Sequence, residues 1–149
     1  MKQGVLAGYP MVNLKATLVD GSYHAVDSSE MAFKTAASIA YKAAMEQANP
    51  VLLEPIGQLK VTVRDDYTGD IIGDINKRRG RIMGMNPLGN NITEVEAEVP
   101  MSEMTKYAID LRALTNGRGE FSFSFVRYED APSDIKEKVV AEAKSAKEE

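Results

Sequence analysis

From Val12 to Val19 the chain alternates Val12, Leu14, Ala16 and Leu18 against Asn13, Lys15 and Thr17, the period of two expected of a strand with one buried face. Asp20-Gly21-Ser22 turns it. Asp27 is placed to cap the helix that follows, with Glu30 three residues on reaching back in a capping box, and Phe33, Ala36, Ala37, Ala40 and Ala44 recur at helical spacing. That helix offers a small, flat alanine face. Asn49-Pro50 stops it, and Val51-Leu52-Leu53 predicts a short buried strand closed by Glu54-Pro55. One strand, one helix and one short strand cannot enclose a core, because a helix face and a sheet face each need a partner layer. Residues 1–55 therefore read as a partial α+β domain.

The pattern from residue 56 onward is more complete. Leu59, Val61 and Val63 alternate against Lys60, Thr62 and Arg64 as a strand, and Tyr67, Ile71, Ile72 and Ile75 mark one side of a helix over residues 66–79. Residues 81–86 predict a short strand, residues 87–91 a turn rich in breakers, and Ile92, Val95, Ala97 and Val99 the strand that returns from it. Met104, Tyr107, Ala108, Leu111 and Leu114 define a second amphipathic helix ended by Asn116-Gly117, and Phe121, Phe123 and Phe125 alternate with serines in a last strand. Strand, helix, strand, strand, helix, strand is the order of the ferredoxin-like split βαβ sandwich, with both helices on one face of an antiparallel sheet. The expected fold class is thus α+β: a ferredoxin-like domain over residues 56–128, preceded by the partial domain and followed over residues 129–149 by a C-terminal helix and tail whose stripe is Ile135, Val139, Val140 and Ala143.

Composition narrows the function without choosing it. With 149 residues, 44% of them hydrophobic, the chain can form a core, and no residue class is extreme. It contains no cysteine, which removes disulfides, thiolate nucleophiles and sulfur-ligated metals, and fits a reducing, cytoplasmic setting. The start of the chain has no apolar core of signal-peptide length, and no run approaches the length of a membrane span. The net charge of −4 is concentrated from Glu129 onward, where seven acids face four lysines, which leaves about −1 for the rest.

Few residues offer chemistry. His24 is the only histidine, so a zinc site has no second imidazole or thiolate to complete it. It lies in Asp20-Gly21-Ser22-Tyr23-His24-Ala25-Val26-Asp27, a loop that reads either as a polar N-cap segment or as an exposed contact surface. Ser22, His24 and Asp27 suggest a triad by composition only, with no oxyanion hole. Lys77, Arg78, Arg79 and Arg81 place four cations in five residues at a helix end, where they either complement the helix dipole or fork onto phosphates. Arg112 and Arg118 form a sparser basic patch. Gly69 to Gly73 lacks a dinucleotide fingerprint and no GxxxxGK[ST] loop occurs, so nucleotide hydrolysis is excluded for this sequence. The three phenylalanines read as core in preference to an outward stacking platform.

Several long segments carry a resemblance: Gly4-Val5-Leu6-Ala7-Gly8-Tyr9-Pro10, Asp20 through Phe33, Asn49 through Ile56, Gly69-Asp70-Ile71-Ile72-Gly73-Asp74 with Arg78-Arg79-Gly80, Pro100 through Met104, and Tyr107-Ala108 through Arg118. Together, from Gly4 to Tyr128, the sequence resembles the C-terminal part of bacterial translation elongation factor G or an elongation-factor-like paralogue, an architecture shared with ribosomal protection proteins. The resemblance implies that residues before Pro55 are the later half of the family's fourth domain and residues 56–128 its fifth. It implies a ribosome-binding role in translocation, with Gly21, Ser22, Tyr23 and His24 in a tip loop near tRNA and mRNA in the decoding A site. The fifth domain is implied to face ribosomal RNA and stalk-base protein of the large subunit, with Lys77, Arg78, Arg79 and Arg81 the charge-based candidates for that contact. GTP and magnesium belong to the family's N-terminal GTPase domain, which this sequence does not contain, so the expectation is a non-enzymatic chain without a cofactor.

Two other readings stand beside it. Acylphosphatase uses the same strand order, with an arginine and an asparagine holding a phosphate, and Asn76 or Asn116 would serve that role here. A protein-interaction module would self-associate through the incomplete first domain, by strand exchange.

Overall fold

In the computed structural model, which describes residues 2–148, strand β1 (Leu53–Arg64) runs between two neighbours and turns its odd-numbered residues to one face. Leu59, Val61 and Val63 are fully buried on that face. The sheet is completed by β2 (Arg81–Gly89), β3 (Ile92–Pro100) and β4 (Glu120–Asp130) in the order β2-β3-β1-β4, with every neighbouring pair antiparallel. This is the ferredoxin-like arrangement that the periodicity predicts.

The facing layer comes from α2 (Thr68–Lys77), which buries Ile71 and Ile75, and α3 (Tyr107–Thr115), which buries Tyr107 and Leu111. With Val95, Ala97 and Val99 of β3 they form one cluster. Each such side chain contributes roughly 1.5–3 kcal/mol on burial, so this cluster dominates the stability of the sheet unit. Both helices are shorter than expected, because 3₁₀ turns over Asp65–Tyr67 and Met101–Met104 lead into them. Asn116 and Gly117, at φ 50° and 77°, close α3 in the left-handed region where a side-chain amide or a glycine is tolerated. The β2–β3 hairpin is tighter than the five-residue turn expected. Asn90 and Asn91 alone form it, both at positive φ, as a two-residue turn matched to strand twist requires.

Val51 to Leu53 does not make a separate strand closed by Pro55. β1 runs straight through that proline, which sits where the strand pairs with β4 (Pro55↔Tyr128) and β3 has not yet begun to pair, so the missing N–H interrupts no ladder on that side. The compact sheet unit accordingly comprises Leu53–Asp130, and the preceding residues group with those after Asp130.

In that other unit the expected strand from Val12 to Val19 does not form. The segment is irregular, and Leu18 and Val19 are about nine-tenths exposed. A strand pattern needs a neighbour to take its backbone hydrogen bonds and cover its apolar face, and no strand is paired with this one. Helix α1 (Glu30–Gln47) forms as expected but buries no residue, and its cap is Ser29, whose hydroxyl accepts from the Ala32 N–H, in place of Asp27. Glu30 pairs one turn on with Lys34. Helix α4 (Ser133–Glu148) keeps Ile135, Val139, Val140 and Ala143 half-buried on one stripe. Ala131 N–H closes onto the Leu52 carbonyl at 2.8 Å.

The phenylalanine row divides. Phe121, Phe123 and Phe125 stand opposite Val61, Leu59 and Gly57, on the helix-covered face. Phe123 packs on the core and lies over Gly57, where any Cβ would run into its ring. Phe121 meets Tyr107 edge-on, yet it and Phe125 remain 39% and 51% exposed because β4 is an edge strand with a neighbour on one side only. Gly57→Val should therefore lower unfolding stability by about 1–3 kcal/mol in urea titrations. In a Phe123→Ala background, where the ring is gone, the same change should cost much less.

Candidate functional site

The loop from Asp20 to Ser28 is held by hydrogen bonds within itself. Gly21 N–H donates to Asp20 Oδ1 (2.7 Å), His24 N–H to Ser28 Oγ (2.8 Å), and Ser28 N–H back to the His24 carbonyl (2.9 Å). A loop tied this way presents its side chains instead of folding them in. Gly21, Ser22, Tyr23 and His24 are all exposed, Tyr23 by 69%, and the His24 ring has no hydrogen-bond partner among the described residues. This places an aromatic ring, an imidazole and a hydroxyl side by side at the entry to α1.

The basic cluster is not the uniform patch its sequence suggests. Arg78 caps α2 and points inward. Its Nε donates to Asp74 (2.8 Å) and its terminal nitrogens to the Glu103 carbonyl (2.6 Å) and to Asp110 (2.5 Å), while the guanidinium lies 5.0 Å from the centre of the Tyr107 ring. Burial alone would favour losing its proton, but the bonds to Asp74 and Asp110 outweigh that and hold the pKa above its ordinary value. Arg79, turned by a left-handed φ of 59°, forks onto both oxygens of Glu54 at 2.9 Å and reaches Glu103 at 3.1 Å. The bond to Glu54 raises its pKa against a smaller opposing effect of burial. Both arginines turn these donors into the fold, where they knit α2, α3, β1 and the Met101–Met104 turn together. Lys77 and Arg81 are exposed and outside every ion pair among the described residues, as are Arg112 and Arg118.

Sequence reasoning missed the partners. The Asp74-Arg78 spacing of four along a helix is a signal that could have found one of them. Nothing local announces Asp110, Glu54 or Glu103, which are 24 to 32 positions away from the arginines they bind. It also missed Arg127, which forks onto Glu98 (2.8 and 2.7 Å) across the open face of the sheet and binds Glu129. The bond from Arg127 holds the Glu98 carboxyl below the usual range, with burial opposing.

The shallow depression between α2 and α3 is lined by Gly69, Asp70, Gly73, Asp74, Lys77 and Leu114, a mixture of acids with one base that does not suit a phosphate. Asn116, considered for phosphate binding, caps α3 and turns its amide toward the Tyr67 hydroxyl at 3.3 Å. Among the described residues no group of three or more His, Cys, Asp or Glu side chains is arranged to hold a metal, and no helix is long and apolar enough to cross a membrane.

Comparison with known proteins gives the context for this loop and its cations. The family model described as Elongation factor G, domain IV matches residues 1–49, and that described as Elongation factor G C-terminus matches residues 51–139. The chain belongs to the elongation factor G family. Elongation factor G of Aquifex pyrophilus is 52% identical over 147 residues, which is 99% of this chain and 21% of that protein. A crystal structure of a Thermus thermophilus protein superposes with a TM-score of 0.81 at 44% identity, over 97% of this chain and 22% of the other. The chain therefore spans about a fifth of the length of these relatives, and its two matched regions are the family's domain IV and C-terminus.

Removing one partner of a part-buried pair leaves the other uncompensated, so Arg78→Ala should destabilise by about 3–5 kcal/mol in chemical unfolding. Arg81→Ala should stay within about 0.5 kcal/mol. Because the Glu98 pKa is depressed in the folded state, its stabilising effect is complete above the unfolded glutamate value of about 4.3 and disappears as pH falls through the lower folded value. Unfolding followed from neutral pH into that acid window should show the loss, and Glu98→Gln should flatten it.

Proposed function

We propose that this chain is the ribosome-docking end of a translocation factor of the elongation factor G type. In this reading, residues 21–24 touch RNA in the decoding A site, beside tRNA and mRNA, while the sheet unit meets ribosomal RNA and stalk-base protein of the large subunit. The observation that carries it is the exposed Gly21-Ser22-Tyr23-His24 loop within a 147-residue match to elongation factor G. An aromatic ring and an imidazole free of internal partners can stack on unpaired bases and hydrogen-bond to them, the usual mode of contact with single-stranded RNA. Lys77 and Arg81 supply the phosphate contacts of the sheet unit. Arg78 and Arg79 act behind them, holding fixed the backbone that presents both neighbours.

GTP binding and hydrolysis, with magnesium, belong in this proposal to a part of the family outside the two matched regions. The role of these residues is then recognition by shape and charge, in the cytoplasm where ribosomes work. Phosphate contacts make such binding salt-dependent through counterion release.

The test is co-sedimentation of the chain with ribosomes across a salt series. Lys77→Gln/Arg81→Gln should weaken binding and lower its salt slope by about 1 for each cation removed. Tyr23→Ala/His24→Ala should weaken binding with little change of slope. Binding that neither variant alters would overturn the assignment of both surfaces.

A further inference from the structure

We propose that Asn116 is a covalent modification site held latent by the cap of α3, where the side-chain amide converts to aspartate or isoaspartate once that cap opens. The inference goes beyond the ribosomal reading and does not depend on it.

Asn116 is the one asparagine of the chain followed by glycine; the others precede leucine, proline, lysine, asparagine or isoleucine. The distinction is chemical. The backbone nitrogen of the following residue can attack the asparagine Cγ, forming a new N–C bond and expelling the side-chain nitrogen, which takes up the attacking group's proton and departs as ammonia. Water then opens the five-membered imide at one carbonyl or the other. One opening leaves aspartate, and the other leaves isoaspartate, with the backbone running through the side chain. A side chain on the following residue obstructs the attack, and glycine has none. Asn116 and Gly117 are both exposed, so water reaches the pair.

The fold nevertheless keeps the reacting atoms apart. Asn116 sits at φ 50° and ψ 39°. At that ψ the Gly117 nitrogen stands nearly opposite Cβ across the Cα–C bond, whereas the imide ring needs the two on the same side. Both reacting groups are also engaged: Gly117 N–H donates to the Arg112 carbonyl at 2.9 Å, and the Asn116 amide donates to the Tyr67 hydroxyl at 3.3 Å. Thr115, just before, is fully buried, and Gly119, just after, lies so close to Leu111 and Thr115 that a Cβ would meet them at 3.1 Å. The cap is thus anchored on both sides, and turning ψ requires the end of α3 to come undone.

Conversion has consequences. A carboxylate at the C-terminus of α3 opposes the helix dipole, and isoaspartate lengthens the backbone inside a left-handed turn. The new charge also falls four residues after Arg112 and two before Arg118, both exposed and outside every ion pair among the described residues, and it cancels part of that basic patch.

The test incubates the 149-residue chain at mildly alkaline pH, in buffer and in unfolding urea, and reads the amide-to-acid mass gain in the tryptic peptide Ala113–Arg118 against unincubated chain. Conversion in urea should be at least about tenfold faster than in buffer. Leu111→Ala loosens α3 without touching the reacting atoms, and should raise the rate in buffer at least about tenfold while circular dichroism still reports a folded chain. If that variant does not fold, Leu114→Ala, at a half-buried position of the same helix, should accelerate conversion in its place. Equal rates in buffer and urea, no conversion in urea, or a folded but destabilised α3 variant that reacts no faster would overturn the proposal.

Discussion

A four-stranded sheet has two faces, and this one is held by burying its apolar face against α2 and α3. The alternation along β1 makes that possible, with Leu59, Val61 and Val63 on the hidden side and Gln58, Lys60 and Thr62 on the other. Because β1 is flanked by β3 and β4, its register decides which residues of both neighbours enter the core. A slip of one position would expose the whole set at once. The absence of a side chain at Gly57 belongs to the same constraint, since it leaves room for the Phe123 ring above the strand.

A second constraint is electrostatic and fixes the helices. Arg78 collects a carboxylate from its own helix, a carboxylate from α3, a backbone carbonyl and the face of Tyr107. Arg79 does the same for Glu54 at the start of β1. Such sharing keeps part-buried charges solvated by protein and makes the α2–β2 corner rigid. Lys77 and Arg81 stay exposed at that corner, so one basic run divides into inward and outward members.

The other unit follows a different logic. Helix α1 buries no residue, and the loop before it satisfies its backbone groups internally while leaving Tyr23 and His24 exposed. An ordered backbone with unpartnered side chains loses less entropy on any contact than a loose one does. This loop leaves its side-chain groups unused, whereas the sheet unit holds together through the groups it consumes.

Periodicity in the sequence was enough to determine the four-stranded, two-helix order, because alternation and helical spacing are local consequences of where each Cβ points. Local chemistry likewise marked the exposed loop around His24 and the close of α3 at Asn116-Gly117. It failed where a neighbour decides the outcome. The Val12–Val19 alternation has no strand beside it to become one, and Pro55 ends nothing because β1 is paired on one side only at that point. The clearest case is the run Lys77-Arg78-Arg79-Gly80-Arg81, where four like charges look equivalent in sequence and two are consumed internally. Their carboxylate partners come mostly from distant strands and helices, and only folding brings those within hydrogen-bond reach.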